Sequence, residues 1–215
     1  MKKHLATTLM LAIIGMFVLA PSPASALKDS PLSLGPKLGL NYSDFTGDVP
    51  DEFGSKLGFS GGAFLAYAFG DWFTVQPEVL YSQKGAKGSG DTPLGEETVT
   101  LSLDYIEIPV LAVLTIPTQS IWTPKVFVGP AFGFLISAEA KAELAGEEEE
   151  ENMEEAFKDY DVGIVFGGGV DVKVGPGAIT ADIRYNFGVT NIADDEEDDF
   201  SVKNGVFSFM VGYAF

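Results

Sequence analysis

The feature that most constrains the fold of this sequence is a two-residue alternation of large apolar side chains with polar or small ones. It recurs throughout the chain after residue 26 and is clearest in residues 179–188, where every second position is apolar and the positions between are polar or glycine. Such a period places each kind of residue on its own face of a β-strand. Because no window after residue 26 shows a sustained helical period, the sequence predicts an all-β fold.

The alternation predicts strands at about 36–45, 57–69, 72–83, 98–116, 125–137, 160–174, 178–188 and 206–215. Short connections follow the even-numbered strands, at 70–71, 117–124 and 175–177. Longer polar connections follow the odd-numbered strands, at about 46–56, 84–97, 138–159 and 189–204. An antiparallel meander places these two classes at opposite ends. In the fourth strand the apolar positions change parity after Tyr105, at Ile106 and Ile108, which predicts a bulge or bend there.

Two kinds of barrel can use such strands, and they differ in which face is turned inward. A water-soluble, lipocalin-like barrel places the apolar face inside, whereas a membrane barrel places it outside against lipid. The smaller faces here carry charged and polar residues, glycine and alanine, which suit the narrow interior of eight strands. Aromatic residues near the strand ends form two groups that resemble the girdles of membrane barrels: Trp72, Phe73, Trp122, Tyr213 and Phe215, and Tyr42, Tyr81, Tyr160, Tyr185 and Phe187. The sequence therefore favours an eight-stranded antiparallel up-and-down transmembrane β-barrel, with the soluble barrel as the alternative.

The N-terminus has the pattern of a secretory signal peptide. A basic stretch is followed by an apolar run at residues 5–20 and by Ala24-Ser25-Ala26, which has the form of a cleavage site. The alternative is an uncleaved membrane anchor. The apolar run disfavours it, because it is shorter than the roughly 20 apolar residues that a spanning helix needs. We expect a signal peptide at 1–26 cleaved after about Ala26, a lead-in at 27–34, and a barrel domain at 35–215 located in the cell outer membrane.

The composition excludes several kinds of site. The sequence has no cysteine, and its one histidine, His4, lies in the predicted signal peptide. This argues against Ser-His and Cys-His nucleophiles and against ordinary zinc sites, and also against barrel enzymes that rely on histidine, such as lipid A-modifying enzymes and omptin-like proteases. The net charge of −18 argues against nucleic-acid binding. We expect no enzyme activity and no catalytic, cofactor-binding or metal-binding residues.

Four charged residues on the predicted inward faces lie near the middle of their strands: Glu78, Glu107, Asp182 and Arg184. An unpaired charge inside a narrow barrel costs several kcal/mol. We therefore predict that Arg184 lies in an interior network with Glu78 and Glu107, to which Asp182 can also belong. The facing of Glu107 depends on the parity change after Tyr105. A structural plug that fixes strand register is the favoured role, and transport or catalysis is the alternative.

Two segments have unusual compositions. The acidic runs at 146–155 and 194–199 match no EF-hand spacing, which predicts a solvated, mobile surface; loose binding of Ca²⁺ or Mg²⁺, or adaptation to a saline habitat, are alternatives. The glycine-rich stretch at 166–177 lacks the Gly-Lys-Ser/Thr of a phosphate-binding loop. Its glycines are predicted to admit a bulky side chain or to ease strand curvature.

Several stretches together resemble the PorT-like outer-membrane β-barrel family of the Bacteroidota and related bacteria: "KLGLNYS" at 37–43, "VQPEVLYSQKGAK" at 75–87, "LDYIEIPVL" at 103–111, "FVGPAFGFL" at 127–135, "IRYNFGVTNI" at 183–192 and the closing "VGYAF". The resemblance implies an eight-stranded outer-membrane barrel. The founding member is linked to a protein secretion system, so an accessory role in secretion and a small transport barrel are alternatives to a structural or interaction role. The very acidic loops depart from the family pattern.

The chain closes on an aromatic strand in which Phe209, Val211, Tyr213 and Phe215 share one face. A terminal aromatic strand of this kind resembles the signal that the barrel-assembly machinery recognises in outer-membrane barrels. The expected partners are therefore outer-membrane lipid, the assembly machinery during insertion, and a protein partner contacted through the loops. We expect no nucleic-acid partner.

Overall fold

The computed structural model describes residues 31–50, 53–92, 95–144, 147–194 and 201–215, so the predicted signal peptide lies outside the described residues. A 3₁₀ turn at Glu154–Ala156 is the one helical segment in these ranges, and no described helix is long and apolar enough to cross a membrane. The described ranges contain nine strands: β1 (Leu32–Gly47), β2 (Phe53–Ala68), β3 (Phe73–Thr92), β4 (Gly95–Thr115), β5 (Trp122–Leu144), β6 (Glu147–Asn152), β7 (Tyr160–Val174), β8 (Gly177–Gly188) and β9 (Val202–Ala214).

Eight of these strands form a closed ring in which every pairing is antiparallel. The order is β1-β2-β3-β4-β5-β7-β8-β9, and β9 returns to pair with β1 from Lys37↔Gly212 to Gly47↔Val202. The predicted eight-stranded up-and-down barrel is thereby confirmed. The ninth strand, β6, lies outside the ring and pairs with the end of β5, from Glu139↔Asn152 to Leu144↔Glu147. It was not predicted because a run of glutamates carries no alternation.

The two ends of the barrel have different connections, as predicted. At one end, which we call the turn end, the strands join through residues 69–72, 116–121 and 175–176. Gly175 has φ +61°, and the ring of Pro176 fixes a negative φ, which together give the type II′ combination that suits a two-residue hairpin. At the other end, the loop end, the connections are 48–52, 93–94, 145–159 and 189–201.

Two of the predicted long connections are wrong, because much of their length is strand. β3 and β4 continue as a hairpin from Lys84↔Leu103 to Thr92↔Gly95, which leaves only 93–94 between them instead of 84–97. β5 likewise continues to Leu144, inside the predicted connection at 138–159. These extensions are rich in polar residues and glycine. Backbone pairing holds them as strands, but they lack the apolar alternation that reveals a strand next to lipid.

The outer surface of the ring carries a belt of exposed apolar side chains. Leu38 and Leu40 on β1, Val126 and Val128 on β5, and Phe209 on β9 are each about half exposed. Water-soluble monomers rarely expose a continuous apolar surface of this extent. The belt faces lipid in a membrane barrel, and the residues that alternate with it point into the lumen.

The facing of the first half of β4 corrects a prediction. A membrane barrel with its apolar face outward places Leu103 and Tyr105 on the outer face. The structure instead buries them inside the barrel, at 1% and 0% exposure, and the buried alternation continues unbroken to Glu107. The predicted irregularity lies in the partner strand, since the β4–β5 register shifts between Asp104 and Tyr105 and passes over Ile136 of β5. The apolar residues change parity because they face outward within the belt and inward beyond it. Beyond the belt the outer face of the wall meets water, and the interior is apolar.

An apolar cluster, the mouth cap, closes the lumen at the loop end. Two of its members, Ile192 and Ala193, belong to the β8–β9 connection, and Phe157 from the connection before β7 packs against them. Phe157 also lies 6.5 Å from the ring of Phe45, and the Lys158 amide donates to the carbonyl of Ile192 at 2.8 Å. The buried members of the cap are Phe45, Ala86, Leu103, Tyr105, Ala138, Ile192, Ala193 and Val202.

The inverted pattern predicts which positions of β4 react with a membrane-impermeant maleimide. The sequence has no cysteine, so single-cysteine variants give an unambiguous signal. We expect Ser102→Cys on the outer face to be labelled in intact membranes and Leu103→Cys in the mouth cap to be protected, with both labelled after boiling in detergent. Faster labelling at position 103 than at 102 in the native barrel would contradict the inversion.

Candidate functional site in the barrel lumen

The lumen contains an equal number of buried positive and negative side chains. Among the described residues, the buried charged side chains are four cations and four carboxylates, so their charges balance. Two groups of contacts hold them, which we call the basal cluster, nearer the turn end, and the upper cluster, nearer the loop end. The eight residues are Lys37, Lys84, Lys125, Arg184, Glu78, Glu107, Asp161 and Asp182.

The basal cluster is centred on Glu78 of β3. Lys37 Nζ donates to Glu78 Oε1 at 2.6 Å, and Arg184 Nη1 donates to Glu78 Oε2 at 2.7 Å. Gln76 Nε2 adds a third donor to Oε1 at 2.8 Å. Both carboxylate oxygens are therefore hydrogen-bonded by cationic groups, which is the arrangement that a buried carboxylate needs to remain charged.

Asp182 connects this centre to the turn end. Its Oδ2 accepts from Lys37 Nζ at 2.9 Å, and its Oδ1 lies 3.1 Å from Lys125 Nζ. Lys125 also donates to Asp171 Oδ1 at 2.7 Å and to Thr180 Oγ1 at 2.6 Å. The basal cluster thus joins β1, β3, β5, β7 and β8 across the lumen.

Glycines on β7 make room for two members of this cluster. Gly167 is paired with Arg184 and Gly169 with Asp182. A Cβ at Gly167 would lie 2.9 Å from the Cβ of Arg184, and one at Gly169 would lie 2.3 Å from Asp182 Oδ1. The predicted role of the glycine-rich stretch is therefore seen at these two positions, although the side chains that it admits come from the adjacent strand.

The upper cluster is centred on Lys84 of β3. Its Nζ lies 3.4 Å from Glu107 Oε1 and 3.1 Å from Asp161 Oδ2, and 4.9 Å from the ring centroid of Tyr105. The amide of Asn186 donates to Glu107 Oε1, and that of Asn204 donates to Asp161 Oδ2 at 2.9 Å. Neutral amides and one ammonium therefore hold two carboxylates in this half of the lumen.

Polar residues fill the space between the clusters. Asn41 donates to Ser82 Oγ at 3.0 Å and accepts from Ser208 Oγ at 2.8 Å. A cavity of about 10 Å³, roughly the space that one water molecule needs, lies beside them and is also lined by Glu107 and Arg184. The lumen at this level is therefore occupied by side chains.

The structure places the four predicted residues inside the barrel but divides them between the two clusters. Glu78 and Arg184 are in direct contact, and Asp182 joins them through Lys37, whereas Glu107 pairs with Lys84 and Asn186. The sequence-based hypothesis omitted Lys37, Lys84, Lys125 and Asp161. Two features of the sequence could have identified them. They lie at inward-facing positions of their strands, and the predicted network of three carboxylates with one cation needed more positive charge to be neutral.

The acidic hairpin of β5 and β6 lies outside the lumen, at the loop end. Glu148, Glu149, Glu150 and Glu151 are exposed, and Lys141 of β5 pairs with Glu150. The hydrogen bond and the charge of Glu150 raise the pKa of Lys141. Across the part of the chain that the structure describes, no group of three or more Asp, Glu or His side chains is arranged to hold a metal ion.

Several solved structures match this chain at low sequence identity. Ail of Yersinia pestis shares 16% identity over 86% of this chain and 99% of its own, with a TM-score of 0.42. Neisserial surface protein A shares 18% over 86% and 98%, with a TM-score of 0.48. OprG of Pseudomonas aeruginosa shares 12% over 85% and 93%, with a TM-score of 0.44. A search of curated protein sequences finds no significant match.

The family assignment rests on a separate comparison. Residues 22–194, which are most of the chain, match the family model described as an outer membrane protein beta-barrel domain. This agrees with the closed ring, the apolar belt and the polar lumen, and it implies an outer-membrane location. The narrower resemblance to PorT-like proteins stays a prediction. The chain therefore belongs to the outer membrane protein beta-barrel domain family.

Proposed function

We propose that this protein is a closed, non-conducting and non-enzymatic barrel with a structural and interaction role in the outer membrane. The observation that carries the proposal is the filled lumen. Eight buried ionisable side chains span its middle, and the mouth cap closes its loop end. Eight strands enclose little more space than side chains fill, so the interior serves to hold the wall in register.

A transport function is disfavoured by the way in which the lumen is filled. A solute would have to break contacts such as Lys37–Glu78 and Arg184–Glu78, whose side chains are almost fully buried. Breaking a buried ion pair costs about 3–5 kcal/mol. The passage would also require the Phe157 and Ile192 connections to leave the mouth cap.

An enzymatic function is disfavoured by the composition and by the contacts of the described lumen carboxylates. The one histidine is His4, in the predicted signal peptide, and the sequence has no cysteine. The lumen carboxylates Glu78, Asp182 and Glu107 are each held by cations or amides. A general acid or base must reach a substrate, and these groups face the interior of a closed wall.

The working surface that we propose is the loop end. In barrels of this kind the short turns face the periplasm and the longer connections face outward, so the β3–β4 and β5–β6 hairpins project from the cell. The exposed glutamates of β6 make this surface strongly acidic. A protein partner with a basic surface would be complementary to it, and opposite charges speed such encounters. An accessory role in secretion rests on the family resemblance alone and would require a partner that co-purifies specifically.

Planar-bilayer recordings test the closed lumen. We expect the purified, refolded barrel to give no stable and reproducible openings, because the lumen is filled by buried ion pairs. A general porin recorded in the same bilayers supplies the control for insertion and sensitivity. Openings of reproducible conductance would contradict the proposal and favour a small transport barrel.

Replacement of Arg184 tests the plug. We expect Arg184→Leu to lower the midpoint of the heat-modifiability transition in detergent, because it leaves Glu78 with one fewer cation and breaking a buried pair costs about 3–5 kcal/mol. The double variant Arg184→Leu/Glu78→Leu removes both charges and should recover part of the loss. Lys173→Leu, at an exposed position, is the control. An unchanged midpoint in Arg184→Leu would show that the network has no structural role.

Deletion of Phe215 tests the proposed assembly signal. The Phe215 amide donates to the carbonyl of Leu34 at 2.9 Å, so this residue lies at the β1–β9 seam. We expect the deletion to reduce the fraction of newly made protein that becomes heat-modifiable in outer membranes, while refolding into detergent stays near the parental level. Phe207→Ala, on the same face of β9, is the matched control. Equal losses in cells and in detergent would indicate a stability defect instead.

A further inference from the structure

A cavity of about 10 Å³ lies in the lumen between the basal and upper clusters. A cavity of this volume has room for about one water molecule. Buried side chains of five strands, β1, β3, β4, β8 and β9, give it a polar lining: Asn41, Ser82, Glu107, Arg184, Asn186 and Ser208. The cavity is therefore a candidate site for a ligand no larger than water.

The charges around the cavity indicate a neutral ligand. A cation in the cavity would face the guanidinium of Arg184, and an anion would face the carboxylate of Glu107. The four buried cations of the described lumen also balance its four buried carboxylates. An ion would therefore add a buried charge without compensation, which is costly, whereas a neutral molecule adds none.

Both charged groups of the lining have hydrogen-bonding capacity beyond their direct contacts. A guanidinium carries five N–H donors, and Arg184 gives one of them, from Nη1, to Glu78. The contacts of Glu107 with Asn186 and Lys84 are both made through Oε1, which leaves Oε2 to accept from another donor. A small molecule in the cavity can therefore accept from Arg184 and donate to Glu107.

Two serines of the lining add one donor and one acceptor. Ser82 Oγ accepts from the Asn41 amide at 3.0 Å, so its hydroxyl proton can be donated to a ligand. Ser208 Oγ donates to Asn41 Oδ1 at 2.8 Å, so its lone pairs can accept from a ligand. Together with Arg184 and Glu107 these groups supply two donors and two acceptors. This set matches a water molecule, since buried waters make two to four hydrogen bonds to polar groups.

We propose that the cavity binds one water molecule that bridges Arg184 and Glu107. The water also accepts from the Ser82 hydroxyl and donates to Ser208 Oγ. Because Arg184 belongs to the basal cluster and Glu107 to the upper cluster, the bound water joins the two clusters into one network, and a water bridge is nearly as favourable as a direct hydrogen bond. The site is independent of whether the loop end has a partner.

Magnetisation transfer from water to methyl groups tests the site in solution. Val165 and Val206 belong to the apolar part of the lining, so their methyl protons lie beside the bound water. Leu103, which is 1% exposed in the mouth cap and does not line the cavity, is the control. In the refolded, methyl-labelled barrel we expect nuclear Overhauser cross-peaks from water to Val165 and Val206 and none to Leu103. The absence of cross-peaks at the two valines overturns the proposal. Equal cross-peaks at all three positions mean that water fills the lumen and overturn it as well.

A variant that fills the cavity tests the same site in crystals. Val206→Ile adds one methylene to a side chain of the lining and removes no polar group. In high-resolution structures we expect a peak at hydrogen-bonding distance from Arg184 and Glu107 in the unmodified barrel and its loss in Val206→Ile. Val113→Ile makes the same change at a buried position outside the lining and should keep the peak. An unmodified barrel without the peak overturns the proposal, whether or not the variants fold, and so does a peak that stays in Val206→Ile.

Discussion

The closed antiparallel ring is the constraint on which the rest of this structure depends. In hydrocarbon, a backbone N–H or C=O without a partner costs several kcal/mol and cannot turn to water, so a sheet that crosses a membrane must have no open edge. The seam between β1 and β9 removes that edge. With only eight strands the ring is narrow, and the side chains of its inner face are forced into contact with one another.

That confinement explains the composition of the lumen. Charged side chains on an inner face cannot reach water, and each must find a partner on another strand. Lys37, Glu78 and Asp182 do so across three strands, and Arg184 completes the set where Gly167 leaves space for its stem. The same contacts oppose slippage, because shifting one strand by one residue would move the lumen charges of that strand to the lipid face.

Beyond the apolar belt the outer face of the wall meets water instead of lipid, and the apolar residues lie on the inner face of the strands. The inner face of β4 is polar at Glu107 but apolar at Leu103 and Tyr105, while Ser102 and Asp104 lie on the outer face. The extensions are therefore organised like a soluble sheet, with their apolar side inward. This inversion allows the mouth cap to form from strand residues and from the connections at Phe157 and Ile192.

The sequence by itself determined the number of strands in the ring, the facing of residues such as Ile183 and Phe209, and the two kinds of connection, because lipid imposes a two-residue period on every segment in contact with it. It also indicated which faces carry charge. Only the tertiary structure decided which charges meet: Lys37 pairs with Asp182, 145 residues away, and Glu107 pairs with Lys84 instead of Arg184. These contacts depend on strand register and closure, which alternation leaves unspecified. The acidic strand β6 was hidden because its run of glutamates has no alternation. The facing of Leu103 was hidden because alternation looks the same whether the apolar side of a strand faces lipid or the interior.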